Sequence, residues 1–285
     1  MRFEKWQALG NDYMIIERDE LPFELTPARI RRLCEGHFGV FSDGILLLSR
    51  PADPAHVADL RIFNPDGSEA ELSGNGAREA IMYLRRRGWT DRDSFSILTA
   101  AGEIRPTITG QDTCSVDMGR ASLTSRDFPS GPPDGRGRVS SAGRTWDFQH
   151  VSIGNPQCSI RVPGESELDE LDLPAIGPAI EADPLFPNRT NVSWFTPVPG
   201  GVRARIFERG VGETLSSGTG ACGAAIAHLL ADGGPASGTV TVTLEGGQLE
   251  VRVAQDLAVN LTGWARAVFE GRLSDEFEKE LHETE

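Results

Sequence analysis

Two short phrases, Ser73-Gly74-Asn75-Gly76-Ala77 and Ser217-Gly218-Thr219-Gly220-Ala221, lie 217 − 73 = 144 residues apart, about half of the 285-residue chain. Each leads into an Ala-containing apolar segment. Serine is a favoured helix cap, and glycine just inside it lets the backbone turn tightly. The N–H groups at such a helix start can hold an anion, a carboxylate above all. A phosphate suits them less, because no Gly-Lys-Ser/Thr follows either turn. A single copy is an ordinary capped helix. Two copies at half-chain spacing suggest two similar half-molecules, with Ser73 and Ser217 as matched polar groups. Such a pair can take a proton from one side of a carbon and return one to the other.

A second constellation leads into the later phrase: Phe207-Glu208-Arg209-Gly210-Val211-Gly212-Glu213-Thr214. Arg209 can clamp a carboxylate through two parallel hydrogen bonds, and Glu208 can hold an ammonium. An adjacent acid and base just before a helix start form a natural zwitterion site, although the same pair at a strand end can equally be a solvated surface pair. Asn11, Asn64 and Asn155 stand in Gly- or Pro-flanked turns, and Asn191 in Thr190-Asn191-Val192. Singly these are ordinary turn residues; together they are neutral donor–acceptors able to line a polar pocket.

Composition narrows the chemistry. With 28 Lys and Arg against 42 Asp and Glu, the net charge is −14, which argues against a nucleic-acid partner, since that needs a basic face. The only lysines are Lys5 and Lys279, so a pyridoxal Schiff base has few candidates. Cys34, Cys114, Cys158 and Cys222 form no CxxC pair, and the five histidines are scattered; neither a metal site nor a disulfide framework is expected. The start, MRFEKWQALGND, lacks the apolar run of a signal peptide, and no stretch approaches a membrane span. A cytoplasmic protein without a membrane anchor is expected.

These groups need a frame to carry them. Strands rich in Val, Ile, Phe and Thr are expected at 2–7, 13–17, 45–49, 59–63, 95–99 and 113–118, then at 146–152, 158–162, 191–195, 202–207, 239–244, 249–254 and 265–269. Helices are expected over 27–35, capped by Thr26, over 77–87, stopped by Gly88, and over 221–231, the last apolar almost all round and therefore buried. The Gly-, Pro- and Ser-rich stretch 125–144 reads as an exposed mobile loop, and the acidic stretch 163–187 as a solvated surface segment. The expected division is 1–119, with the C-terminal strand of 263–285 returning to it, and 120–262.

The ordered motifs resemble those of the diaminopimelate epimerase family, cofactor-independent two-base amino-acid epimerases. The resemblance runs nearly end to end: KWQALGND from Lys5, the segment 39–47, NPDGSEAELSGNGAR from Asn64, Gly154-Asn155-Pro156, Arg189-Thr190-Asn191-Val192, the segment 208–221, and the terminal LTGWA and VFEG. It implies an α/β (α+β) fold of two pseudo-symmetric halves, each a curled mixed sheet or barrel around a central helix, with a substrate cleft between them, a homodimer and no cofactor. It further implies that Asn64, Asn155, Asn191, Glu208 and Arg209 hold the non-reacting end of the substrate. Asn11, Gly74, Asn75, Gly218 and Thr219 would surround the reacting carbon, their N–H groups stabilising developing carbanion charge.

The departures from the family pattern fall at the chemical centre. Both family bases are cysteines, and here they are Ser73 and Ser217; a histidine that tunes the thiols is replaced by Gln157, and Glu79 and Ser216 stand for Cys and Ala. A thiol titrates near 8.5, whereas an alcohol is a far weaker acid; a gap of roughly five units corresponds to about 7 kcal/mol. An engineered pair of serines would have left the histidine in place, so the joint change points to natural divergence. Cys158 and Cys222 are expected to be packing residues. The expected activity is interconversion of LL- and meso-diaminopimelate in lysine and cell-wall precursor synthesis. A homologue that binds a diamino diacid without turnover, and an isomerase of another amino acid, stand as the alternatives.

Overall fold

Apolar alternation and turn residues divide the chain into short strands around a few helices in the computed structural model, which describes residues 1–234 and 237–284. In chain order the elements are β1 (Arg2–Ala8), β2 (Asn11–Glu17), α1 (Pro27–Cys34), β3 (Ile45–Ser49), β4 (Ala58–Phe63), β5 (Glu69–Ala70), α2 (Gly74–Arg86), β6 (Ile97–Thr99), β7 (Gly102–Ile104), β8 (Thr107–Ile108) and β9 (Thr113–Arg120). There follow β10 (Arg136–Ser141), β11 (Arg144–Ser152), β12 (Pro156–Arg161), α3 (Glu165–Glu170), α4 (Leu173–Glu181), β13 (Asn191–Val198), β14 (Gly201–Glu208), β15 (Gly212–Thr214) and α5 (Gly218–Leu230). The chain ends in β16 (Gly238–Leu244), β17 (Gly247–Val253), β18 (Ala258–Trp264), β19 (Arg266–Arg272) and α6 (Asp275–Glu283). Two compact units result, Met1–Val116 with Gly263–Glu285, and Asp117–Thr262.

The first unit is built on a mixed sheet of order β19-β1-β2-β3-β4-β6-β7, with β5 on the flank of β4. Its period-two alternation sends Met14, Ile16, Ile45 and Leu47 into one core with Ile30 and Leu33 of α1 and Leu281 of α6. On the other face α2 packs over β1, β2 and β3. In the second unit Phe148, Cys158, Ile160, Val192, Trp194 and Phe207 form a core with Leu168 of α3 and Leu173, Ile176 and Ile180 of α4. Its opposite face carries α5, which packs over β11, β12, β13, β14, β16 and β17. Neighbours on every side explain the apolar composition of α5.

The internal repeat extends from the phrases to the topology. In the first unit β1 pairs β2 antiparallel, β2 pairs β3 parallel, β3 pairs β4 antiparallel, β4 pairs β6 parallel, and β6 pairs β7 antiparallel. In the second, β11, β12, β13, β14, β16 and β17 repeat that succession of senses. β5 flanks β4 as β15 flanks β14. Helices α2 and α5 are each 13 residues long, with starts 218 − 74 = 144 residues apart.

Four expectations change. Both central helices begin three residues earlier than read, at Gly74 and Gly218, because the serine hydroxyls cap the glycine-containing turn itself. Neither sheet closes into a barrel among the described residues; the first ends at β19 and at β7, which is only three residues long. The stretch 125–144 is not all mobile loop: β10 forms a hairpin with β11, and Phe128 is buried. The acidic stretch 163–187 folds into α3 and α4, because Leu168, Leu173, Ile176 and Ile180 recur at helical spacing and bury together.

Candidate functional site

In the first unit the sequence GNGAREAIMYLRR makes α2, whose N-cap is Ser73. The Ser73 Oγ accepts the Gly76 N–H at 3.1 Å, closing the first turn. It also accepts a hydrogen bond from the Tyr13 hydroxyl at 3.2 Å. Tyr13 comes from β2, and its ring lies over Gly44 and Gly76, where a Cβ would meet ring carbons at 2.7 and 3.3 Å respectively. The Asn75 side chain donates to Asn11 Oδ1 at 3.3 Å, and Asn11 in turn donates to Asp43 at 2.8 Å. Below them Arg78 is fully buried and donates to the Gly74 carbonyl and to Asn75 Oδ1. Asn75, Asn11 and Asp43 therefore form one hydrogen-bonded chain in the turn that Ser73 caps. Asn64 stands in the turn after β4, bonded to Ser68 Oγ at 2.9 Å.

In the second unit Ser217 caps α5, accepting the Gly220 N–H at 3.2 Å. Its own hydroxyl donates to Glu208 Oε2 at 3.0 Å, while Thr214 donates to Glu208 Oε1 at 2.9 Å. Burial pushes the Glu208 carboxyl above its ordinary range, and the hydroxyls of Thr214 and Ser217 work against that rise. A carboxylate offers about four lone-pair sites, so Glu208 keeps acceptor capacity beyond these two bonds. Asn155 donates to Thr219 Oγ1 at 3.2 Å, repeating in this unit the Asn75–Asn11 contact of the other. Gln157, fully buried at the foot of α5, donates to Asn155 Oδ1 at 2.7 Å. Asn191 Oδ1 accepts the Arg209 backbone N–H at 2.8 Å, and the Arg209 guanidinium donates to the Asn188 carbonyl at 2.9 Å.

The repeat maps these groups onto one another at a constant spacing of 144: 155 − 11, 157 − 13, 208 − 64 and 217 − 73. The residues so paired are alike only in part. Asn11 and Asn155 are identical, whereas Tyr13 is matched by Gln157, and Asn64 by Glu208. The two serines consequently have opposite partners. Ser73 accepts from a phenol, and Ser217 donates to a carboxylate.

A family model described as diaminopimelate epimerase matches residues 3–124 and 149–268. The chain belongs to the diaminopimelate epimerase family. It is 39% identical over 283 residues to the diaminopimelate epimerase of Thioalkalivibrio sulfidiphilus, covering 96% of this chain and 99% of that one. The corresponding protein of Desulforudis audaxviator is 40% identical over 284 residues, covering 95% and 99%. Solved structures share the fold. A phenazine biosynthesis protein of the PhzF family from Bacillus anthracis superposes with a TM-score of 0.71 at 18% identity, covering 96% of this chain and 99% of its own. A hydroxyproline epimerase from Agrobacterium vitis does so with a TM-score of 0.65 at 16% identity, covering 95% and 91%.

Three residues of this epimerase-family chain escaped sequence reasoning. Tyr13 was hidden inside a strand pattern, and its distance of 60 residues from Ser73 gives no local signal. Thr214 ends the segment that begins at Phe207 and has no role in that pattern, yet it holds Glu208. Glu181 lay in the stretch read as solvated surface, yet it is 3% exposed, pairs with Arg189 and accepts the Gly210 N–H at 2.7 Å. It thereby ties down Arg189, which has a φ of +61°, and the turn after Arg209. The cysteines are all buried; burial pushes Cys34 and Cys114 up to about 12 and Cys158 well above the ordinary thiol range.

Proposed function

We propose that this chain interconverts LL- and meso-diaminopimelate in lysine and cell-wall precursor synthesis, without a cofactor, by removing a proton at the α-carbon and returning one. Membership of the epimerase family supports this, and one structural observation carries it. Two helices of equal length, repeated at 144 residues, each open on a serine whose Oγ is hydrogen-bonded to the first turn. The reading assigns the two base positions to Ser73 and Ser217. The α-carboxylate goes to the N–H groups of Gly74-Asn75 and Gly218-Thr219, where the helix dipoles favour negative charge by about 0.3–1 kcal/mol each. Asn11 helps to hold the reacting end. Asn64, Asn155, Asn191, Glu208 and Arg209 recognise the distal zwitterion, Arg209 its carboxylate and Glu208 its ammonium. Gln157 fills the position whose family residue tunes the base.

The chemistry of each half follows from its bonds. Where Ser217 points its proton at Glu208, loss of that proton leaves it on a carboxyl already biased toward the neutral form. The serine oxygen then takes the α-proton while its own moves to Glu208, and no free alkoxide has to persist. We further assign the enzyme to the cytoplasm as a homodimer. The net charge of −14 is in keeping with freedom from nucleic acid, and no helix among the described residues is long and apolar enough to cross a membrane.

The test is to incubate LL-diaminopimelate with the protein in D2O and follow the α-proton by NMR. Exchange together with appearance of the meso isomer is expected. No exchange above the buffer control at high enzyme concentration would remove the catalytic assignment, and calorimetry would then ask whether the diamino diacid binds at all. Sedimentation velocity tests the dimer.

A further inference from the structure

We propose that Tyr13 is the proton store of the Ser73 half-site, a positioning residue that acts through the serine. This rests on the epimerase reading above. As the Ser73 hydroxyl gives its proton to the substrate carbanion, the Tyr13 hydroxyl gives its own to the serine oxygen. The carbanion's electron pair becomes the new Cα–H bond, the Ser73 O–H is broken and remade, and the negative charge ends on the phenolate. In the reverse direction the phenolate draws the proton back through Ser73. No further reactant is required.

Several observations support this role. The Tyr13 hydroxyl donates to Ser73 Oγ at 3.2 Å, and Ser73 also accepts the Gly76 N–H at 3.1 Å. With two donors on its oxygen, the serine has its own proton left for a third group. Phenols titrate at about 10, whereas alcohols are far weaker acids. Charge left on the phenolate is therefore much better tolerated than charge left on the serine. The ring is 5% exposed and sits against Gly44 and Gly76, where any Cβ would crowd it, so the hydroxyl is aimed by a built slot. The matched position in the second unit is Gln157, which bonds to Asn155, and there Ser217 turns to Glu208. One serine is wired to an acid and the other to a base, an arrangement that replaces the missing acidity of two thiols.

The experiment compares Tyr13→Phe in the natural chain and in a Ser73→Cys background, reading kcat, KM and the pH profile in both directions. In the natural chain kcat should fall by about 10²–10³-fold, the loss of one general acid–base group, with KM changed less than about threefold. A cysteine supplies a proton without help, so in the Ser73→Cys background the loss should be at least about tenfold smaller. The chain has only two tyrosines, and the other, Tyr83, is buried and bonded to Glu17. Replacing both by a fluorinated tyrosine, a stronger acid, should move the alkaline limb of kcat to lower pH, and this needs no mutant to fold. An unshifted limb, an unchanged kcat for Tyr13→Phe, or equal losses in both backgrounds would overturn the proposal while leaving the epimerase reading intact. A natural chain with no activity at all would overturn both.

Discussion

Glu79 lies in the middle of α2 with no exposed surface, its carboxyl against the Tyr13 backbone. Burial pushes its carboxyl well above the usual 4.5, against the opposing pull of Arg78. Above the unfolded value the folded chain therefore keeps a proton on this carboxyl that the unfolded chain has lost. The sign follows: the folded state binds the extra proton, so stability falls as pH rises above the unfolded value, until the folded carboxyl itself ionises. The slope approaches about 1.4 kcal/mol per pH unit between the unfolded value and the raised folded one. Replacement by methionine removes this penalty together with the cost of a buried carboxyl poor in hydrogen bonds, about 1–3 kcal/mol. Arg78 keeps its bonds to Gly74 and Asn75 in that exchange. Urea unfolding of the natural chain and of Glu79→Met at several pH values measures the effect. The variant should be the more stable, by a margin that widens with pH. A margin independent of pH, with the variant less stable by about 3–5 kcal/mol, would mean that Glu79 is ionised and paired with Arg78, and would refute the reasoning.

Restoring cysteine at 73 and 217 together with Gln157→His should raise kcat by at least about a hundredfold in the D2O exchange assay, because a thiol recovers several units of acidity; an unchanged rate would show that the scaffold no longer supports epimerisation. Glu208→Gln should lower kcat by about 10²–10³-fold and abolish the acid limb of its pH profile. In the natural chain that limb should lie above the ordinary carboxylate range, because burial raises the Glu208 carboxyl and activity is lost as pH falls through the raised value. Iodoacetamide at about pH 8 should leave the native activity intact, since all four cysteines are buried and burial raises the thiols of Cys34, Cys114 and Cys158. Mass spectrometry should then find carbamidomethylation only after denaturation, and rapid inactivation would show a reactive thiol.

The elements were largely readable from residue patterns. Thr26-Pro27 signalled the start of α1, and the structure shows Thr26 accepting the Arg29 N–H with Pro27 in the first turn. The run ILLLS was read as a strand and is β3, buried on both faces because α2 packs over one side and α1 over the other. β18 was missed, since Asn260, Thr262 and Gly263 break its apolar pattern and its pairing is non-local. The last helix was missed as well: DEFEKELHE fell within the returning C-terminal strand expected at 263–285, yet Phe277 and Leu281, four residues apart, give it one apolar edge against the first unit's core.

At the candidate site the division is sharper. Local sequence sufficed for the two serine caps, the glycines behind them and the Asn-bearing turns, because capping and tight turns depend on residues within three or four positions of each other. The 144-residue repeat was equally visible, since a duplicated chain keeps its spacing. Which partner each serine has was decided only by tertiary structure. Tyr13 reaches Ser73 across 60 residues because β2 runs beneath α2, and Glu208 reaches Ser217 because β14 ends beside the start of α5. Burial made the same decision for the carboxyls: Glu79, Glu181 and Glu208 are chemically alike in the sequence, and their different surroundings raise one well above its ordinary range, make one a clamp for a loop and one a partner for a hydroxyl.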